Sequence, residues 1–470
     1  MLYIGVIVAI TAVLAWVALR KALAVKNQSD FLVAGRKLPW TVLVFTLLSS
    51  WIGAGSLFAG AENAYKNGFA ALWQPGGGWL GLVVIAAIAG RARRFAQFTV
   101  PDLLETRYNA TARVMGTVAI VLSYTMITSY QFKGGGDILH LIFPELGRTT
   151  GMYIVAAFVI LFTAAAGMAS VAYLDLIIGL LVTVIVVVAL PVLLSSVGGW
   201  QAVRTSLPDT HFQVLGPLTL TQALGFTIPV MLLLIGNQSM YQKFFSARSE
   251  RDAKVAVGGW IIGTLLLETC LVAVAVIGSS KFRIENAREI IPVSARQGLP
   301  PLLGALLLGG IFAKIISTAN NYLFSPASNL IHDVYQRFIA PGAPPRRSLI
   351  VSRVLVVALG VFALMQAAYF ESILAAALYA YTVYGAAITP SVMAVFFWKR
   401  TTTAAAICSI VLGTVVTVVW NVMGRDEAVY PALAASVASL VLVSLLTRPP
   451  APEKWRPFFG ERVEVASHAD

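Results

Sequence analysis

Residues 40–64 read WTVLVFTLLSSWIGAGSLFAGAENA, an apolar stretch long enough to cross a bilayer. Ser49, Ser50, Gly53 and Gly55 fall in its middle, where they weaken a helix. A break at membrane depth leaves backbone groups unpaired, and membrane proteins tolerate this only where protein or a water-filled cavity satisfies those groups. The same small residues also let helices pack closely, and the stretch alone leaves both interpretations open.

The composition excludes a soluble protein. The chain has 470 residues, of which 58% are hydrophobic and only 12% charged, whereas soluble domains carry about 25% charged residues. Apolar stretches of about 20 residues recur throughout and predict an all-α integral membrane protein with about 13 transmembrane helices. The predicted helices cover residues 2–22, 40–64, 70–92, 112–140, 151–168, 173–197, 218–243, 255–279, 300–329, 348–369, 372–397, 402–423 and 428–446.

The distribution of positive charge predicts the orientation. The first apolar stretch has no positive charge before it and Arg20, Lys21 and Lys26 after it, which indicates a retained helix with Met1 outside. Lys and Arg then gather in the loops that this orientation places inside, including the loop around Arg346. The expectation is a plasma or inner membrane protein with a cytoplasmic C-terminus. The net charge of +13 then needs no nucleic acid partner, only the lipid bilayer.

A second weak point lies inside the predicted helix 218–243, at Pro229, Gly236 and Asn237. It follows the first weak point by five helices. Because five is odd, a second copy of a five-helix unit would lie upside down relative to the first. Paired interrupted helices in an inverted repeat indicate the binding site of a transporter.

Five segments carry a more specific pattern. They are Phe31–Pro39 (FLVAGRKLP), Thr99–Asn109 (TVPDLLETRYN), Asn237–Lys243 (NQSMYQK), Ile316–Tyr335 (ISTANNYLFSPASNLIHDVY) and Pro390–Arg400, which ends in FFWKR. Together, in this order, they resemble the sodium:solute symporter family, which includes bacterial proline, sialic acid and sugar symporters. The resemblance covers most of the chain.

The resemblance implies a leucine-transporter-like core of two inverted five-helix repeats that works by alternating access. The implied organisation is a peripheral N-terminal helix and loop at 1–39, the first repeat at 40–198, the second repeat at 199–400, peripheral helices at 401–447 and a cytoplasmic tail at 448–470. The implied function is sodium-coupled symport of a small polar organic solute.

The resemblance also implies a sodium site. Its expected ligands are the hydroxyls of Ser317 and Thr318 and the main-chain carbonyls of Ser49, Ile52 and Lys314. Asp175 is expected nearby, because a carboxylate within a membrane span needs a cation or another partner. The segment around Asp175 departs from the family pattern, with Leu174 in place of a threonine and Ile178 in place of a glutamine. The two hydroxyls could instead bond back to the preceding helical turn.

Lys314 is unusual, because a small residue is usual at this position in the family. It lies one turn before Ser317 and Thr318, on the same helix face. Its ammonium is expected to point away from a bound sodium ion and to pair with Asp175 or Glu268. The alternative is a sodium-independent or proton-coupled transporter in which Lys314 replaces the cation, since a buried lysine can release its proton near neutral pH.

By the same resemblance, Ser56, Gln74 and Asn237 are expected to contact the solute, with Tyr241 and Tyr384 as walls or gates. Sugar-binding members carry a glutamine and a glutamate at the positions matching Ser56 and Gln74, which argues against a hexose.

Lys133 is a second unusual cation within a predicted span. Pairing with Asp137 at i+4 is the favoured interpretation. A Lys133 that faced the cavity instead would suit a carboxylate.

Other function classes find less support in the sequence. No His/Asp/Glu cluster has the spacing of a metal enzyme, and no nucleotide-binding loop occurs, so an enzyme is not expected. A membrane solute sensor remains a distant alternative, although the chain after residue 446 is too short to hold a kinase.

Overall fold

The computed structural model describes residues 2–22, 34–95, 99–165 and 168–459. Within these ranges the protein is helical, and the only β-type pairing is an isolated bridge between Leu38 and Ala247. Eleven described helical stretches are long and apolar enough to cross a membrane. The apolar helix Trp40–Trp51 is shorter than a full span. The all-α membrane fold is thus confirmed, whereas the expected number of 13 crossings is not.

The helices of the apolar stretches lie where the sequence predicts them. Their bounds are Leu2–Ala22, Trp40–Trp51, Gly60–Asn67, Trp73–Phe95, Ala110–Ile142, Arg148–Ala165, Met168–Ser196, Leu220–Gly236, Gln238–Ser246, Glu250–Lys281, Pro301–Asn329, Pro345–Gln366, Ile373–Ala387, Thr389–Phe397, Thr403–Val422 and Val429–Leu446. Short helices at Val100–Arg107, Gly199–Ser206 and Ile290–Gly298 lie in the connections.

The stretch 40–64 is interrupted, as its Ser and Gly residues predict. Helix Trp40–Trp51 ends at Ile52, whose extended backbone (φ −87°, ψ 114°) breaks the helical path. A π-helical turn at Gly55–Ala59 restarts the chain and leads into Gly60–Asn67. Gly53 is required at the break, because a Cβ there would lie 2.6 Å from the Thr318 side chain. We call residues 40–67 the first broken segment.

The second weak point is interrupted as well. Helix Leu220–Gly236 ends at Asn237 (φ −57°, ψ 111°), and helix Gln238–Ser246 begins directly after it. A Cβ on Gly236 would lie 2.4 Å from the Thr389 hydroxyl, so the small residue permits this contact. We call residues 220–246 the second broken segment.

Helix Pro301–Asn329 lies at the centre of the protein. Every residue from Leu307 to Asn329 is buried, and its span has the largest buried share of the eleven, 83%. It packs against helices Ala110–Ile142, Met168–Ser196 and Leu2–Ala22. This central helix therefore presents its polar residues to the protein interior rather than to lipid.

Candidate functional site

Thr318 on the central helix closes the break in the first broken segment. Its hydroxyl lies 3.3 Å from the carbonyl of Ser49 and 3.1 Å from that of Ile52. In an uninterrupted helix the amide of Ser56 would bond to Ile52, but here it bonds to the carbonyl of Gly53. The break thus frees carbonyl oxygens, and three oxygens converge in a buried place. We call this group the oxygen cage.

Asp175 lies fully buried beside the oxygen cage. It accepts hydrogen bonds from the hydroxyls of Thr46 (2.7 Å), Ser50 (3.3 Å) and Ser317, and from the side-chain amide of Asn321 (3.2 Å). These donors come from the first broken segment and the central helix, so the carboxylate joins both to helix Met168–Ser196. All four donors are neutral. Ser317 and Thr318 therefore have different partners here, Asp175 for the first and the freed carbonyls for the second.

Two buried ammonium groups accompany Asp175. Lys314 donates to the carbonyl of Leu48 at 3.5 Å. Lys243 donates to the Ser239 hydroxyl at 3.0 Å and to the Asn321 side-chain oxygen at 2.9 Å. Both side chains are fully buried, and Asp175 interacts electrostatically with both.

The expected direct ion pair of Lys314 with Asp175 or Glu268 is not formed among the described residues: the ammonium donates to a carbonyl, and Asp175 interacts with it only electrostatically. The reason is that neutral hydrogen-bond donors already surround Asp175, while Glu268 accepts hydrogen bonds from two indoles and a hydroxyl. Sequence reasoning also missed Lys243, although a lysine within an apolar broken helix was a visible signal.

Glu268 lies in a cavity beside the break. Its Oε1 accepts from the indole of Trp51 at 3.0 Å and from the Ser56 hydroxyl at 3.4 Å, and its Oε2 accepts from the indole of Trp79 at 3.0 Å. The cavity holds about 430 Å³ of empty space, open solvent at its mouth included. Its lining comprises Trp51, Gly55, Ser56, Gly60, Gln74, Pro75, Val230, Glu268, Leu271, Val272 and Tyr381. We call it the glutamate cavity.

The structure places two of the five predicted solute contacts in this cavity. Ser56 lines it and donates to Glu268, and Gln74 lines it and accepts from the Asn63 side chain at 3.2 Å. The other three, Asn237, Tyr241 and Tyr384, do not line it.

Tyrosine side chains satisfy the second break. The Asn237 side chain accepts from Tyr124 at 2.9 Å and donates to Tyr322 at 3.1 Å. The Tyr384 hydroxyl donates to the Gly236 carbonyl at 2.6 Å and accepts from the Gln238 amide at 2.9 Å. Here side chains, not a cavity, satisfy the groups at the break.

Tyr241 interacts electrostatically with Tyr384 of this tyrosine cluster and is fully buried, with its ring against Phe244. Its hydroxyl has no hydrogen-bond partner among the described residues. Contact of Asn237, Tyr241 or Tyr384 with a solute stays a prediction.

The favoured pairing of Lys133 with Asp137 is wrong. Asp137 bonds to Arg148 at 2.9 Å and to Arg288 at 2.8 Å. The Lys133 ammonium donates instead to the carbonyl of Phe370. Two arginines from other segments thus take the carboxylate, and Lys133 is not among the residues that line the glutamate cavity.

A second polar cluster forms where the TVPDLLETRYN and IHDVY motifs meet. Asp102, His332 and Asp333 bring their ligand-type atoms within 4.8 Å of one another, which no sequence spacing indicated. Arg113 pairs with Asp102, with Glu105 at 2.7 Å and with Asp333 at 3.5 Å. The guanidinium supplies the positive charge that such a cluster needs, so its geometry favours a structural link between helices over a metal site.

Two broken helices, an oxygen cage at one break and a buried cavity beside it define a secondary transporter of the leucine-transporter-like class. The fold is that of a Na+-coupled sialic acid symporter in a substrate-bound outward-open state, with a TM-score of 0.81 at 16% identity over 96% of this chain and 98% of that one. A nucleobase-cation-symport-1 family transporter in a closed conformation matches with a TM-score of 0.59 at 12% identity, over 92% and 99% of the two chains.

The sequence comparisons agree with the fold. The chain belongs to the sodium:solute symporter family, whose model matches residues 31–413. A sodium/pantothenate symporter of Escherichia coli (strain K12) is 25% identical over 68% of each chain. An osmoregulated proline transporter of Bacillus subtilis (strain 168) is 23% identical over 94% of each chain. The family and these relatives are transporters rather than enzymes.

Proposed function

We propose that this protein is a sodium-coupled symporter for a small polar organic solute. The Thr318 hydroxyl, set between the two carbonyls at the break of the first broken segment, is the observation that carries the proposal. The relatives named as sodium/pantothenate and sodium/proline symporters support sodium as the coupling ion.

The chemistry of the oxygen cage suits sodium. A hard cation prefers several oxygen ligands, and the oxygens of Thr318, Ser49 and Ile52 converge here. With a sodium ion bound, the Thr318 hydroxyl would turn its hydrogen away and offer its oxygen as a ligand. Ser317 and the Lys314 carbonyl complete the proposed set, and the Asp175 carboxylate, bonded to Ser317, contributes negative charge.

The first broken segment offers a direct route for coupling ion to solute. Ser49 and Ile52 belong to the oxygen cage, while Trp51 and Ser56 bond to Glu268 in the glutamate cavity. An ion that fixed the break to the central helix would therefore also fix two groups of the solute cavity. Binding at one site then favours the cavity shape that the other site needs, and such linkage is reciprocal.

The proposed orientation follows the positive-inside pattern, with the N-terminus outside and the C-terminus in the cytoplasm of a plasma or inner membrane. The proposed repeats at 40–198 and 199–400 each contain one broken segment. Alternating access would then move one repeat against the other around the two breaks.

A specific observation favours a second candidate, a transporter that is not coupled to sodium. The buried Lys314 ammonium already donates to Leu48, in the same helix end that supplies the cage carbonyls. In that case an internal cation would link the central helix to the first broken segment, and a proton would be the coupling ion.

A sodium titration of the purified protein separates the two candidates without knowledge of the solute. Bound sodium would raise the thermal midpoint and change the tryptophan fluorescence of the protein, to which Trp51 at the helix end beside the break contributes. Potassium at equal concentration is the control for ionic strength. We expect a saturable response to sodium alone, and an identical response to both ions would favour the second candidate.

A further inference from the structure

We propose that the glutamate cavity takes the protonated nitrogen of a small amine, with Glu268 as the counter-charge. This names the solute class of the proposed function and rests on it. The juxtaposition that carries the inference is a buried carboxylate, aromatic walls and the absence of a basic side chain from the lining that the structure describes.

Glu268 is a carboxylate within a membrane-spanning helix, Glu250–Lys281, and only 4% of its surface is exposed. Charged side chains at such depth are costly and pair with a cation or serve a transported one. All of its hydrogen bonds come from neutral groups, two indoles and one hydroxyl. No ion pair with Glu268 occurs among the described residues. A proton or a cation from outside the protein must therefore balance its charge, and the lining of the cavity favours the cation.

The free acceptor capacity of Glu268 points to an N–H donor. An ionised carboxylate offers about four acceptor positions, and three are used, two on Oε1 and one on Oε2. A protonated primary or secondary amine can donate to the remaining position on Oε2. A quaternary ammonium has no N–H, so it would be attracted to the charge of Glu268 but could not donate a hydrogen bond to it.

The walls of the cavity suit a cation as well. Trp51 and Tyr381 line it with aromatic rings, whose electron-rich faces attract cations. Val230, Leu271 and Val272 add apolar side chains to the wall. The empty space includes the open mouth, so the amine carries only a short apolar chain.

A solute with a net negative charge fits poorly. Its anionic group would face Glu268 in a site with little water, where like charges repel more strongly than in solution. The two buried lysines do not offset this, because Lys243 and Lys314 bond within the Asp175 region and line no part of the glutamate cavity.

The test is a thermal-shift titration of the purified full-length protein with four probes of similar size. Butylammonium has N–H donors and a charge, tetramethylammonium has the charge alone, butyramide is neutral and butyrate is anionic. All are used at pH 7, where alkyl amines are protonated. Each titration is run in sodium and in potassium buffer, because an organic cation as the sodium substitute would compete for the site.

We expect butylammonium to stabilise the protein most, tetramethylammonium less, and butyramide and butyrate not at all. Glu268→Gln keeps the size of the side chain and removes its charge, so it should weaken butylammonium binding at least tenfold. Glu145→Gln makes the same charge change in an exposed loop and should leave binding unchanged.

Stronger stabilisation by butyramide or butyrate than by butylammonium would overturn the inference, as would an undiminished amine response in Glu268→Gln or no response to amines at all. The buffer comparison separates this inference from the proposed function. Amine binding that ignores sodium would leave the solute class standing and count against sodium coupling. Sodium-dependent binding of butyramide alone would support sodium coupling and count against an amine as the solute.

Discussion

Asp175 and Glu268 are two buried carboxylates that contact the same broken segment near its break. Asp175 bonds to Thr46 and Ser50 before the break, and Glu268 bonds to Trp51 and Ser56 around it. Both receive only neutral hydrogen-bond donors among the described residues. They differ in the charge that surrounds them, since Asp175 has two buried lysines in its region and Glu268 has none.

The difference indicates which charges the protein balances by itself. Asp175 offsets part of the positive charge of Lys314 and Lys243, so its charge serves the folded protein with or without a ligand. Glu268 has no such internal partner, so its charge opposes burial until a cation arrives. One carboxylate thus serves the structure and the ion site, and the other is free to recognise a solute.

The largest expected effect is on stability, where the two carboxylates should behave in opposite ways. Asp175→Asn removes the negative charge nearest two buried ammonium groups and disturbs four buried hydrogen bonds, and it should cost about 2 kcal/mol of folding free energy. Glu268→Gln removes an unbalanced buried charge and should leave stability unchanged or raise it. Thermal and denaturant unfolding in one detergent would measure both variants.

Removing one ammonium as well makes that prediction sharper. Lys314→Met restores the charge balance around Asp175→Asn, so the double variant should regain part of the lost stability. Equal losses for Asp175→Asn and Glu268→Gln would mean that the two regions do not differ in the way described above.

The oxygen cage should contribute the next largest effect. Ser317→Ala with Thr318→Ala removes two proposed sodium ligands and should weaken sodium activation tenfold or more, about 1.4 kcal/mol. Ser328→Ala in the same helix is the matched control, because the Ser328 hydroxyl bonds back to the carbonyl of Phe324 in the preceding turn. Sodium affinity that stays unchanged in the double variant would remove the cage from the mechanism.

Lys314 should have a smaller effect of opposite sign. Two unit charges about 4 Å apart repel by about 4 kcal/mol at an effective dielectric of 20, and the greater separation expected here gives less. Lys314→Ala should therefore keep sodium binding and tighten it by a few fold, as measured by the sodium titration. The other outcome has two parts. The unmodified protein binds no sodium and takes up solute faster in acid, whereas Lys314→Ala binds sodium. That outcome would favour the transporter that is not coupled to sodium.

The orientation of the protein in the membrane has no expected effect on stability or affinity. It decides from which side of the membrane an ion or a solute reaches each of the two carboxylates. Cysteines placed at Gly147 or Glu285, both exposed, should react with an impermeant thiol reagent added outside, and one at Arg346 should not. Cys270 is buried and Cys408 half-buried, so background labelling should be low. Labelling of Arg346→Cys alone from outside would reverse the proposed topology and the access route to the glutamate cavity.

Much of the architecture follows from local sequence features. Apolar runs place the helices, because hydropathy and helix length are properties of single segments. The Ser and Gly residues of 49–55 indicate the first break and Gly236 and Asn237 the second, since backbone preferences act within a few residues, whereas Pro229 lies inside helix Leu220–Gly236 without interrupting it. Ser56 and Gln74 were expected from the resemblance to the family, and both line the glutamate cavity.

The partners of buried charges were decided only by the tertiary structure. Glu268 meets Trp51 and Trp79 across 217 and 189 residues of sequence, and Asp137 meets Arg288 across 151. The i+4 rule therefore favoured Lys133 for Asp137 wrongly. Asn237 has the residue type of a solute contact, yet tyrosines from three other helices surround it. Hydropathy and backbone preference are local, whereas the neighbours of a buried polar group depend on how distant helices pack.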